Sequence, residues 1–101
     1  FNMSLGEITE QMKERIGDGA GIGKIIKFDF GDDGVLRIDD SQNPAVVDND
    51  DSASDVTIKV AIDDYKAIAS GEQNAQMAFM MGKLKVEGDM GLAMRLGQIL
   101  G

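Results

Sequence analysis

The sequence has no cysteine, no histidine and no tryptophan, and only one proline and one tyrosine in 101 residues. Without thiols there is no disulfide framework and no cysteine nucleophile. Without imidazole there is no Ser-His-Asp triad and no ordinary zinc site. Positive charge is scarce too: 10 Lys+Arg stand against 18 Asp+Glu, a net charge of −8. That balance argues against a nucleic-acid partner, because a phosphate backbone needs a cationic face. It leaves at most transient contact with an anionic membrane. No apolar run approaches the ~18 residues needed to span a bilayer. The opening FNMSLGEITEQMKERIG places acidic residues where a secretory signal would be basic. Met3 reads as the natural start, preceded by an extra Phe1 and Asn2, and the ending GQILG carries no address signal. With 43% apolar residues the chain is too hydrophobic for a disordered acidic tail. One globular, cytoplasmic domain over residues 1–101 is expected.

Two periodicities organise the chain. Ser4 and Glu7 fit a capping box, and Leu5, Ile8, Met12 and Ile16 then form one stripe of an amphipathic helix. From Lys24 the period becomes two. Ile26, Phe28 and Phe30 alternate with Lys27 and Asp29, a turn follows at Gly31-Asp32-Asp33-Gly34, and Leu36 and Ile38 answer on a return strand. A short strand is expected at 45–48, and a clearer one where Val56, Ile58 and Val60 alternate with Thr57 and Lys59. Two short helices follow at 63–71 and 75–81, then a strand at 83–87. A last helix, GLAMRLGQIL, is capped by Asp89. The order αββββααβα indicates an α+β fold.

Several motifs dissolve on inspection. The glycines at 17, 19, 21 and 23 never fit G-x-G-x-x-G and follow a helix rather than a strand, so they read as a flexible connector. The run Asp48 to Asp55 resembles a calcium loop, yet its sixth position is Ala53 and its twelfth Lys59. It reads as a solvated acidic hairpin loop. The many carboxylates fall in turns and on outer strand positions, where no acid–base pair is held against an apolar wall. No catalytic residue, metal ligand or cofactor is expected.

The informative stretch is the C-terminal quarter. Five of the seven methionines fall there: Met77, Met80, Met81, Met90 and Met94. The last helix is apolar around more than half its circumference, more than packing on one sheet requires. A well-packed core accounts for such a stripe. So does a cavity, because methionine is flexible and suits sites that fit varied ligands.

Residues 77–96, MAFMMGKLKVEGDMGLAMRL, are similar to the C-terminal half of the sterol carrier protein 2 (SCP2) domain family. The pattern is carried by Ala78, Phe79, Gly82, Lys83, Leu84, Lys85, Gly88, Ala93 and Leu96, with Thr57-Ile58 and Asp64-Tyr65 upstream. The resemblance implies a five-stranded, mostly antiparallel sheet covered by helices, with an internal hydrophobic tunnel. That tunnel would hold a sterol, a fatty acid or a fatty acyl-CoA, bound or transferred without chemistry. Carried over by position, Phe79 and Gln76 face the ligand, Gln76 as the polar contact. Phe28 and Leu84 would line it from the sheet, Ile68 and Met80 from the middle helices, and Met90, Met94 and Ile99 from the last. Lys83, Lys85 and Arg95 read as solvated surface that could meet a headgroup at the mouth. A second role is an accessory domain that presents lipid to, or dimerises with, a lipid-metabolising enzyme. The peroxisomal tripeptide of many eukaryotic members is absent, which favours a bacterial-type or cytoplasmic protein.

Overall fold

The computed structural model describes residues 4–19 and 21–96 in full, and the backbone of 97–100. The capping box forms as its residues dictate. The Glu7 amide donates to Ser4 Oγ at 3.2 Å, and the Ser4 amide donates to Glu7 Oε1 at 3.3 Å. The helix α1 (Leu5–Ile16) turns Ile8, Met12 and Ile16 into the core and stops at Gly17, whose φ is +59°.

Five strands follow the period-two segments: β1 (Ile25–Asp29), β2 (Val35–Asp39), β3 (Val46–Asp48), β4 (Val56–Val60) and β5 (Leu84–Gly88). The helices α2 (Ile62–Ala69), α3 (Ala75–Met80) and α4 (Met90–Leu100) complete the expected order. The strands lie in the order β3-β2-β1-β4-β5, with β1 and β4 parallel and the other pairs antiparallel. Phe28 stands between Leu36 and Ile58, and Ile58 is also opposite Val86. Alternation therefore puts Ile26, Phe28, Leu36, Ile38, Val56, Ile58 and Val60 on one buried face. Ile8, Met12 and Ile16 of α1, Tyr65 of α2, and Leu92 and Leu96 of α4 close that face.

Two loops differ from their reading in the sequence. Because β3 and β4 are not neighbours, the acidic run 48–55 is a crossover rather than a hairpin loop. Lys27 and Arg37, opposite each other on the outer sheet face, hold it down. Lys27 Nζ reaches Asp51 Oδ1 at 2.8 Å and the Ser52 carbonyl at 3.0 Å, while Arg37 donates twice to the Ala53 carbonyl at 3.2 Å. Likewise, the glycine run is a tethered connector. The Asp40 carboxylate accepts the Ile22 amide at 2.7 Å and the Gly23 amide at 3.2 Å, and Ile22 is buried. Sequence alone does not reveal this, since Asp40 lies 18 residues from Ile22.

Tyr65 sits edge-on to both Phe28 and Phe30, each centroid 5.2 Å away. Burial pushes its phenol up to about 12, an effect the Arg15 guanidinium partly opposes. The unfolded chain loses that proton near pH 10, before the folded one does. Stability from this group is thus complete below about pH 10 and drains away as pH rises towards 12. The urea midpoint is expected to fall over that window by the equivalent of about 2–3 kcal/mol. In a Tyr65→Phe variant the fall shrinks; an equal fall would assign it to other groups.

Candidate functional site

The C-terminal helices divide their apolar residues between core and solvent. Asn74 caps α3 by accepting the Met77 amide at 3.1 Å, and Ala78 is the buried residue of that helix. Its remaining large side chains face outward: Met77 is 56% exposed, Phe79 46% and Met80 80%, with Met81 at the C-cap 63%. Asp89 starts α4 by accepting the Leu92 amide at 3.0 Å. Leu92 and Leu96, one turn apart, are buried. Met90 and Met94, one turn apart and rotated by about 200° from that pair, are exposed. Among the described side chains of α4, Leu92 and Leu96 thus meet the core while Met90 and Met94 are uncovered. α3 packs on β5, and α4 on β4 and β5, so both helices sit at the same end of the sheet.

The expected lining residues separate into three groups. Phe28 is 2% exposed and locked between Phe30 and Tyr65, so it belongs to the packed core. Ile68 and Leu84 are half-buried, Leu84 packing against the core cluster. Gln76, Phe79, Met80, Met90 and Met94 are exposed on α3 and α4. The side chain of Ile99 lies outside the described residues. Among the described residues an enclosed tunnel is not shown; Met77, Phe79 and Met80 of α3 and Met90 and Met94 of α4 stand towards solvent. Met81 joins them, and the i, i+3, i+4 spacing of Met77, Met80 and Met81 was the signal that could have placed Met77 and Met81 in the expected set.

Side-chain hydrogen bonds from Gln42 and Ser41 hold the Asp39 carboxyl below its usual range. Among the described residues, no three Asp or Glu side chains gather as a cation site. No described helix is long and apolar enough to cross a membrane.

An α+β domain with two half-covered apolar helices at one sheet edge has the build of a module for apolar ligands. The family model described as the SCP-2 sterol transfer family matches residues 5–101, and the chain belongs to that family. Human sterol carrier protein 2 is 48% identical over 52 residues, covering 52% of this chain and 10% of that protein. Peroxisomal multifunctional enzyme A of Dictyostelium discoideum is 40% identical over 66 residues, covering 65% of this chain and 15% of the enzyme. The chain thus matches only a small part of these relatives. Among solved structures, palmitated SCP2L2 from Aedes aegypti superposes with a TM-score of 0.70 at 26% identity, covering 97% of this chain and 95% of that one.

Proposed function

We propose that this chain binds an apolar lipid, a fatty acid, sterol or fatty acyl-CoA, along the uncovered faces of α3 and α4, and carries it without chemistry. The carrying observation is the exposure of Phe79 and of Met77, Met80, Met81, Met90 and Met94 on two helices at one sheet edge. Full burial of such a side chain is worth about 1.5–3 kcal/mol, so each half-exposed one has on the order of 1 kcal/mol to gain. A lipid chain adds about 0.8 kcal/mol per buried methylene. Together these exceed the lower range of association costs, about 4–15 kcal/mol. Methionine suits the task because its unbranched side chain re-packs around different shapes. The palmitated Aedes relative, alike in fold over nearly the whole chain, supports the fatty-acid form of this reading.

The match to the Dictyostelium enzyme supports a second role, in which the domain presents lipid to an enzymatic partner. Both roles need the same apolar face.

Native mass spectrometry of the purified protein, before and after solvent extraction and incubation with palmitate, tests the reading. A stoichiometric adduct that leaves with solvent and returns with palmitate is expected. Met80→Glu and Met94→Glu, at positions 80% and 70% exposed, should keep the wild-type melting temperature and weaken palmitate uptake at least about tenfold. A bare mass that takes up neither palmitate nor cholesterol would sink the proposal.

A further inference from the structure

The outer face of the sheet carries a second feature, remote from the apolar helix faces in its chemistry. Where the ends of β1 and β4 meet the start of β5, a groove of about 310 Å³ is lined by Asp29, Gly31, Lys59, Gly82, Lys83 and Lys85, among others. Strand register explains the crowding of lysines. Lys59 is directly opposite Lys85 across the β4–β5 pair, on the face away from the core. Like charges so placed repel and cost stability. Lys59 turns to Glu87, 3.2 Å away, which leaves Lys85 and the neighbouring Lys83 with no ion pair among the described residues. Asp29, opposite Lys59 on β1, is the one acid of the lining, and one of its oxygens already accepts the Gly31 amide at 2.9 Å. The rim is bare. Gly31 and Gly82 have φ of +67° and +78°, and nothing lies within 4 Å of where a side chain would begin. In a chain of net charge −8, three lysines gathered round one concavity mark a local reversal of sign.

We infer that this groove is a site for a phosphate group. The ammonium groups would share a multiply charged, compact anion, which relieves the cross-strand repulsion as it binds. A carboxylate brings one charge, whereas a phosphate brings about two and several strong acceptor oxygens. The site rests on other residues than the lipid reading, since neither Phe79 nor any of the exposed methionines lines the groove. The same chemistry could arrive free in solution or as a lipid headgroup.

Titration with sodium pyrophosphate at low salt, followed through backbone amide shifts, tests the site. Saturable shifts are expected at Gly31, Lys59, Gly82, Lys83 and Lys85, weakening as salt is added. Lys85→Gln should weaken binding about tenfold. Lys24→Gln removes the same charge outside the groove and should leave binding unchanged. Flotation with phosphatidylcholine vesicles, with and without phosphatidic acid, separates the sources. Flotation that needs phosphatidic acid and is lost in Lys85→Gln assigns the phosphate to a lipid head. Pyrophosphate binding without flotation assigns it to a soluble ligand. No response to either probe, or equal weakening by Lys24→Gln and Lys85→Gln, would overturn the inference.

Discussion

Palmitate at about a hundred times its dissociation constant will raise the unfolding midpoint by about 10–20 °C. A ligand that binds only the folded chain stabilises it by RT ln(1 + [L]/Kd), about 2.7 kcal/mol at that excess. For a domain near 100 residues, each kcal/mol moves the midpoint by about 4–8 °C. The solvent-facing apolar residues lie on helices that pack on β4 and β5, so covering them also ties α3 and α4 down. Differential scanning calorimetry with stepped palmitate measures it. A midpoint that stays within about 2 °C of the unloaded value at saturation would mean that these helices are not a lipid surface. Met94→Glu should abolish most of the shift while leaving the unloaded midpoint in place.

Gly88→Ala is expected to cost about 3–5 kcal/mol, a large share of a typical domain's total of about 5–15 kcal/mol. Gly88 has φ +100°, and a Cβ there would stand 2.4 Å from the Asp55 carbonyl oxygen and 3.2 Å from Val56 Cα. Both obstacles are backbone of the paired strand, so neither can swing aside. The effect would spread into α4. The next residue, Asp89, donates its amide to the same Asp55 oxygen at 3.2 Å and caps α4 with its carboxylate. Urea unfolding reads the loss, and palmitate uptake should fall with it. Gly82→Ala is the control: its φ is +78°, but no atom lies in the way. It should cost only the ~1–2 kcal/mol of a left-handed residue. Equal losses at the two positions would show that the close approach to Asp55 is not the cause.

The order of elements was legible because each one carries its own local signal. Ser4 and Glu7 announce α1, and the alternation of Val56, Ile58 and Val60 announces β4. Pairing is not local. Nothing near Val56 says that β4 lies beside β1 rather than β3, so the 48–55 run looked like a hairpin loop. The crossover becomes visible only when Lys27 and Arg37 are seen beneath it. The site was half legible for the same reason. Periodicity showed that α4 is apolar on too many sides, but it could not say which side meets the core. Leu92 and Met94 are equally acceptable there by pattern; packing buries one and leaves the other 70% exposed. Phe28 was expected at the ligand because its strand faces the helices, yet the Phe30 and Tyr65 rings already fill its surroundings. The groove was hidden altogether. Lys59 and Lys85 read as ordinary outward strand positions until register sets them opposite each other.

The asymmetry of the sheet has one more consequence. β1 is paired on both sides, whereas β5 is an edge strand bound to β4 alone, with α3 and α4 resting on that border. Such a border opens at a smaller free energy than the whole domain, as a cooperative unit of its own. Amides of β5 and α4 would exchange hydrogen ahead of those in β1 and β2, and a bound lipid would slow that exchange. The central strands would act as the fixed floor against which this border moves.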